Sequence, residues 1–282
     1  MSIYKLDSEL IHKVEQEMMS EGAGLPTGFL ELDYCLGGLQ KGNLYVVGGR
    51  ADMGKTAFAL NVARYVTMYQ GKAVLYVSPG DSVHQMVTKL LLLDSGVDLQ
   101  KISSGTYGEE EKEKVKAFAE NWEKCKFFID TPAELSIEKL SKNLLEMAKT
   151  REPELLVVDY LQLLTCEKEV QSRQEEVAAI CVELKKLARK LDIPILVLSQ
   201  LSRAVEQRPD HRPMLSDLRD SGAIEQYADA VLLLYRDEYY FRDTEKLGIA
   251  EVIVGKNKMG AMGRCELVFL PKYLRFCNTQ RI

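Results

Sequence analysis

Residues 49–56 constrain the fold of this chain most strongly, because they have the spacing G-x-x-x-x-G-K-[ST]. An apolar run at 44–47 precedes them and predicts a buried strand, and a helix-patterned segment at 57–69 follows. A strand, this loop and a helix in that order are the context in which the motif binds phosphate. The glycines let backbone N–H groups converge on phosphate oxygens, and the helix N-terminus adds partial positive charge. The alternative is a chance glycine-rich turn, which the flanking strand and helix disfavour.

The loop and two strand ends predict a site for a nucleotide and a metal ion. Lys55 is expected to neutralise the β- and γ-phosphates of ATP, and the Thr56 hydroxyl to ligate Mg²⁺. Asp159 follows four apolar residues and can hold the same ion. Gln200 ends another apolar strand and is expected to sense the γ-phosphate, although it could be a surface polar cap. The predicted nucleotide contacts are Gly49, Arg50, Ala51, Asp52, Met53, Gly54, Lys55, Thr56 and Ala57.

Apolar runs alternate with helix-patterned segments, and the early runs are continuously apolar. This pattern is typical of a parallel sheet with helices on both faces. Right-handed crossovers make it a doubly wound α/β sheet with its ligand at the carboxyl ends of the strands. The predicted strands are residues 44–47, 73–77, 126–129, 154–158, 193–198, 230–234, 250–254, 265–270 and 273–276, and the last two form a C-terminal β-hairpin. The predicted helices include 57–69, 83–93 and 174–191.

Composition excludes several classes of protein. The chain of 282 residues has no run of 18 apolar residues, which argues against a transmembrane helix, and no apolar signal core in residues 1–5. The six cysteines form no C-x-x-C pair, so we expect reduced thiols and a cytoplasmic location. A net charge of −5 argues against indiscriminate nucleic-acid binding but leaves room for a local basic channel.

Residues 6–19 predict an amphipathic helix, because apolar residues recur on one face. The apolar stripe must pack either on its own domain or on a neighbouring subunit. We therefore expect residues 1–22 to be a linker helix and residues 23–282 to form one ATPase domain. The charged run at 109–114 predicts a solvated helix face.

Two lysines follow a predicted strand near the C-terminus. Alternation along the strand would place Lys256 and Lys258 on the same side. Charge that develops on a transferred phosphoryl group needs a cation, which a neighbouring subunit often supplies. These lysines are candidates for that role, and the alternative is a solvated pair on a hairpin.

Longer matches carry a resemblance to a known family. They are GLPTGFLELD at 24–33, GKTAFALN at 54–61, DYLQL at 159–163, LSQL at 198–201, RPM with SDLR at 212–219, SG with IEQ at 221–226 and YRDE at 235–238. Together they resemble the RecA-like motor domain of the DnaB-type replicative DNA helicases, across nearly the whole chain. The resemblance implies a RecA-like P-loop NTPase that uses ATP and Mg²⁺. It also implies a homohexameric ring that moves along single-stranded DNA in replication, with partners such as a primase or a loader. Residues 6–19 occupy the place of the family helix that docks on the adjacent subunit.

Residues 217–225 correspond to a DNA-contacting loop in that family. By this resemblance Arg219, Asp220 and Gly222 are expected to meet the DNA backbone. Glycine permits close approach, and arginine and free N–H groups bind phosphate. The alternative is a purely structural turn.

The sequence departs from the family at two positions that matter for hydrolysis. The family has a water-activating glutamate where this chain has Gly80, so Asp81 is the nearest candidate base. The second trans-acting cation of the family is usually arginine, and Lys258 lacks its bidentate fork. The first hypothesis is an ATP-dependent DNA helicase or translocase. The alternative, a divergent paralogue, is an ATP-binding, DNA-associated assembly or regulatory module with little hydrolysis, which Gly80 favours. A small-molecule kinase is a third reading, which the DNA-loop pattern disfavours.

Overall fold

The computed structural model describes residues 24–106, 108–218 and 221–279. The helix predicted at 6–19 lies outside these residues, and so do Arg219 and Asp220.

Strands and helices alternate along the described chain. The strands are β1 (Leu44–Gly49), β2 (Val74–Val77), β3 (Phe127–Asp130), β4 (Leu135–Ser136), β5 (Leu155–Val158), β6 (Leu164–Thr165), β7 (Ile195–Gln200), β8 (Ala230–Tyr235), β9 (Ile249–Asn257), β10 (Gly263–Leu270) and β11 (Arg275–Asn278). The α-helices are α1 (Leu30–Leu36), α2 (Lys55–Tyr69), α3 (Val83–Ser95), α4 (Leu99–Ser104), α5 (Glu109–Trp122), α6 (Ile137–Arg151), α7 (Arg173–Leu191), α8 (Ser221–Tyr227) and α9 (Asp237–Tyr240). Short 3₁₀ turns lie at Leu161–Leu163, Arg203–Gln207, Leu215–Asp217 and Pro271–Tyr273.

Within the described residues, nine strands form one sheet in the order β11-β10-β9-β8-β1-β7-β5-β2-β3. The strands from β8 to β3 in this order pair in parallel, whereas β9, β10 and β11 pair antiparallel. The short strands β4 and β6 pair separately. This confirms the doubly wound, mostly parallel sheet and the C-terminal hairpin that the sequence predicts.

The sheet divides the apolar side chains into two cores. Along β1, Tyr45 and Val47 join the core that contains Phe58 of α2, whereas Leu44 and Val46 join the core under α6 and α7. Successive side chains of a strand point to opposite faces, so a strand covered on both sides must be apolar throughout. The buried, continuously apolar β1 shows why the sequence pattern predicted its place correctly.

Some local predictions were wrong or incomplete. The predicted strand at 273–276 begins only at Arg275, because Pro271–Tyr273 forms a 3₁₀ turn and Leu274 has a left-handed backbone. The charged run at 109–114 is a solvated helix face as predicted except at Glu111, which is buried and accepts hydrogen bonds from Lys101 and from the Gly108 N–H. The helix α6 and the small β4–β6 pair were not predicted.

Two simpler expectations agree with the fold. Among the described residues no helix has the length and apolar character needed to span a bilayer. All six cysteines are free thiols.

A buried carboxylate ties a loop to the sheet at β9. Glu251 is 1% exposed and accepts two hydrogen bonds from the Arg212 guanidinium, at 2.6 and 2.8 Å. Lys246 donates to it at 2.8 Å and Arg264 at 3.3 Å. Burial alone would raise the pKa of Glu251, but hydrogen bonds and charge from Arg212 and Lys246 lower it to about 2. The loop that carries Arg212 is thereby held against the sheet.

We expect Glu251→Gln to lower the free energy of unfolding at pH 7 by about 2 kcal/mol, because the half-exposed Arg212, Lys246 and Arg264 lose the buried charge to which they donate hydrogen bonds. The folded pKa lies below the unfolded value of 4.5, so this contribution is complete above pH 4.5 and is lost as the pH falls towards 2. Urea unfolding of both proteins between pH 3 and 7 measures the difference. Glu266, the more exposed partner of Lys246, provides the control. We expect Glu266→Gln to lower the free energy of unfolding by less than about 1 kcal/mol. Equal losses for the two variants would contradict the assignment.

Candidate nucleotide site

Four neighbouring strands end at one edge of the sheet. In the sheet β1, β7, β5 and β2 lie side by side and run parallel, so their carboxyl ends meet. The loop at 49–56 follows β1, Gln200 ends β7, Asp159 follows β5, and the segment 78–81 follows β2. The strand ends that the sequence predicts to line one crevice are therefore neighbours at this edge of the sheet.

The loop that leaves β1 needs glycine where it turns into α2. Gly54 precedes the helix with φ +93°, in the region that side chains rarely adopt. A Cβ there would also lie 3.1 Å from the Phe276 ring. Asp52 has a left-handed backbone as well. The resulting compact turn lies at the N-terminus of α2, where free N–H groups and the helix dipole favour an anion.

The ammonium of Lys55 lies inside the loop. It donates to the Arg50 carbonyl at 2.8 Å and to Gln200 Oε1 at 3.2 Å. Burial lowers the pKa of Lys55 to about 8, and the charge of Asp159 partly offsets this effect. A buried cation that touches Gln200 is placed to hold a phosphate and to report its presence to β7.

Thr56 and Asp159 lie together and provide oxygen ligands. The Asp159 carboxylate is 5% exposed and accepts a hydrogen bond from Tyr76 at 2.9 Å. Burial raises the pKa of Asp159, while hydrogen bonds from Thr56 and Tyr76 lower it. A hydroxyl and a buried carboxylate next to a phosphate loop fit a hard cation such as Mg²⁺.

A cleft of about 420 Å³ opens in front of Lys55 and Thr56. One wall is the loop and first turn of α2, and another contains Lys89 of α3 and Phe269 of β10. Arg236 completes the wall, with its guanidinium 4.6 Å from the Phe269 ring centroid and 3.1 Å from the Asp52 carbonyl. Arg236 belongs to the YRDE match, but no motif marked Lys89.

Asp81, the candidate base, is already paired. Its carboxylate accepts from Lys89 Nζ at 2.6 Å and from the Ser78 hydroxyl at 3.0 Å. Its charge raises the pKa of Asp159, so it lies close to the site. An attacking water would have to share the Asp81 carboxylate with both of these partners.

Arg50 behaves differently from the other loop residues. Its guanidinium pairs with Glu206 at 2.7 Å and donates to the Leu201 carbonyl at 2.8 Å. Only its backbone carbonyl reaches Lys55. The side chain of Arg50 therefore contacts the segment after β7.

Lys256 and Lys258 lie at the opposite end of the sheet. Lys256 pairs in β9 with Val231, near the amino end of β8, whereas the phosphate loop follows the carboxyl end of β1. Lys256 Nζ donates to the carbonyls of Glu225 and Ala228, and Lys258 Nζ lies 3.1 Å from Asp229. Burial lowers the pKa of Lys256, and the ammonium of Lys258 lowers it further. Neither lysine contacts the nucleotide cleft of its own chain.

The candidate DNA segment begins at a fixed point. Asp217 is 2% exposed, pairs with Arg208, and its carbonyl accepts from the Ser202 N–H at 2.7 Å. This links the segment to the residues directly after Gln200. Gly222 is exposed in the first turn of α8, and a Cβ there would meet no atom within 4 Å.

Comparison with known proteins matches residues 24–278 to the DnaB-like helicase C terminal domain. The replicative DNA helicase DnaB of Geobacillus stearothermophilus is 37% identical over 274 residues, which are 97% of this chain and 60% of that protein. The replicative DNA helicase DnaC of Bacillus subtilis (strain 168) is 38% identical over 259 residues, 92% of this chain and 57% of that protein. The chain thus spans about 60% of the length of these relatives.

Solved structures agree with this family. One solved ATPase domain matches with a TM-score of 0.93 at 34% identity, and the match covers 99% of this chain and 100% of that one. A DnaB-like replicative helicase, described together with its interactions with primase, has a TM-score of 0.91 at 34% identity, and the match covers 98% and 69%. The chain therefore belongs to the family of DnaB-like helicase C-terminal domains.

Proposed function

We propose that this chain is the ATP-driven motor of a replicative DNA helicase that moves along single-stranded DNA. The observation that carries the proposal is the meeting of Lys55, the Thr56–Asp159 pair and Gln200 at one edge of the sheet. These groups serve a triphosphate, since they are an ammonium, two metal-binding oxygens and an amide that touches the ammonium. The relatives, named replicative DNA helicases, support the DNA-dependent activity rather than the assembly module.

Different residues of the nucleotide site hold the phosphates, the metal ion and the rest of the nucleotide. Lys55 and the N–H groups of the loop hold the phosphates, and Gln200 follows their presence through Lys55. Thr56 and Asp159 would hold Mg²⁺, which neutralises charge on the phosphates when bound. Arg236 and Phe269 line the same cleft and bind the rest of the nucleotide.

The interface between copies of the chain, the subunit seam, completes the nucleotide site. Lys256 and Lys258 are held at the far end of the sheet, so they serve the nucleotide of an adjacent subunit in a homohexameric ring. Residues 1–22 form a linker helix that docks on that neighbour. A primase or a loader is the corresponding replication partner, and one structural relative is described with primase.

The DNA side of the motor is the segment 217–225. Arg219, Asp220 and Gly222 contact the DNA backbone, and the anchored Asp217 connects them to the end of β7. Contacts to the backbone make such binding tolerant of sequence.

Hydrolysis by this motor is slow. Gly80 offers no carboxylate, Asp81 is paired with Lys89, and Lys258 lacks the fork of an arginine. Loss of a well-placed base costs roughly 10²–10⁴ in rate.

The activity itself is tested by ATP turnover with and without single-stranded DNA. We expect DNA to stimulate turnover in the native chain, and we expect Lys55→Ala to abolish it because the phosphates lose their ammonium contact. Phosphate release measured at millimolar ATP and Mg²⁺ gives both rates. Turnover that never exceeds that of Lys55→Ala would instead support the assembly module.

Gly80→Glu restores the side chain that the family has at this position. Gly80 is exposed in a turn, and a Cβ there meets only Leu163 Cδ1, at 3.0 Å, which a flexible side chain can relieve. We expect kcat to rise by at least about tenfold, since a positioned base contributes roughly 10²–10⁴. Gly80→Ala supplies the same Cβ without the carboxylate and should leave kcat unchanged. If the two variants have equal rates, water activation does not limit this motor.

Asp81→Asn tests the substitute base. If Asp81 orients the attacking water, kcat should fall by at least about tenfold, with little change in the Kd for ATP. Asp98→Asn is the matched control, because Asp98 pairs with Lys272 at 2.8 Å outside the line of strand ends. Stopped-flow phosphate release measures kcat, and an unchanged value for Asp81→Asn excludes Asp81 as the base.

A further inference from the structure

Lys256 contacts the helix that carries part of the candidate DNA segment. Its ammonium donates to the carbonyl of Ala228 at 2.8 Å and to that of Glu225. Both carbonyls lie at the C-terminal end of α8, where the last carbonyls of a helix have no partner within the helix. A cation at this end also compensates the negative pole of the helix. Lys256 is therefore the C-terminal cap of α8.

The helix α8 is short and packs along α7 and against the 3₁₀ turn at Leu215–Asp217. The helix has seven residues, which is too short to be stable alone. Ile224 and Ala228 are fully buried and fix one face. Its first turn, which includes Gly222, is exposed and belongs to the DNA segment. Whatever fixes the C-terminal end of α8 therefore also positions Gly222.

One ammonium group can serve two partners at once. It has three N–H donors, and the carbonyls of α8 use two of them. The Lys256 side chain is half-buried rather than enclosed, so the third donor is available to a phosphate of an adjacent copy.

Lys258 has different contacts, although it lies only two residues away. Its ammonium pairs with Asp229 at 3.1 Å, and its backbone N–H donates to the Asp229 carbonyl at 2.9 Å. Burial would raise the pKa of Asp229, but the Leu44 N–H, Lys185 and Lys258 lower it. Lys258 is thus held to the start of β8 and not to α8.

We propose that Lys256 is a positioning residue that links the nucleotide at the subunit seam to the DNA segment. A phosphate that holds the ammonium of Lys256 fixes the C-terminal end of α8, and with it the arrangement in which Gly222 and its segment grip single-stranded DNA. The inference rests on the proposed function. Because linkage is reciprocal, bound nucleotide tightens DNA binding and bound DNA tightens nucleotide binding by the same factor.

Fluorescence anisotropy of a labelled oligo-dT strand tests the link. The Kd is measured for the assembled chain, without nucleotide and with saturating Mg²⁺ and a non-hydrolysable ATP analogue. In the native chain we expect the analogue to tighten binding by at least about fivefold, the usual lower bound of coupling between sites. Lys256→Met should reduce this factor to less than about twofold, because the ammonium that joins the two partners is gone.

Two further variants separate the link from loss of charge. Lys256→Arg keeps donors for the carbonyls of α8 and should retain the nucleotide effect. Lys41→Met removes an equal charge from an exposed site, where Lys41 lies 3.9 Å from Asp192, and should also retain the nucleotide effect. Circular dichroism and gel filtration check that each variant folds and assembles.

The outcomes distinguish this inference from the proposed function. If Lys256→Met keeps the native factor, or if Lys41→Met loses it equally, the link through Lys256 is overturned and the motor assignment stands. The link is also overturned if Lys256→Arg loses the nucleotide effect, or if the analogue does not change the Kd for DNA in the native chain. A native chain that binds neither the analogue nor DNA overturns both.

Discussion

The nucleotide site depends on the pairing of β1 between β7 and β8. All six residues of β1 are buried, and its register with β7 runs from Leu44 opposite Ile195 to Gly49 opposite Gln200. The phosphate loop therefore leaves the sheet directly beside the candidate sensor. Apolar burial on both faces and hydrogen bonds on both edges hold β1 in this register. A Cβ at Gly48 would lie 2.9 Å from Leu233, so the packing against β8 is close as well.

Electrostatics prepares the cleft for its ligand. Burial lowers the pKa of Lys55 and raises the pKa of Asp159, because it disfavours the charged form of each group. A phosphate beside Lys55 and a metal ion beside Asp159 would stabilise both charged forms. Perturbed titratable groups that meet in a cleft are typical of functional sites.

The phosphate loop and the pair Lys256 and Lys258 lie at opposite ends of the sheet. The phosphate loop follows the carboxyl end of β1, and the lysine pair lies near the amino end of β8, the strand beside it. A single copy cannot bring both ends together, so the proposed role of the lysines requires a second copy of the chain. The candidate DNA segment contacts both regions, since the Asp217 carbonyl accepts from the Ser202 N–H and Lys256 donates to the Ala228 carbonyl at the end of α8.

The sequence alone determined the sheet, the phosphate loop, the strand ends that meet there and the family. These features depend on local pattern: apolar runs mark buried strands, glycine spacing marks the turn, and parallel strands bring their ends to one edge. Other contacts follow from the three-dimensional packing alone: Asp81 pairs with Lys89, Glu111 and Glu251 are buried beside cations, and Lys256 caps α8. Such partners are up to about 40 residues apart in the chain and meet through the fold. The periodicity of the sequence does not predict these contacts, because they depend on which helices and loops pack against which strand.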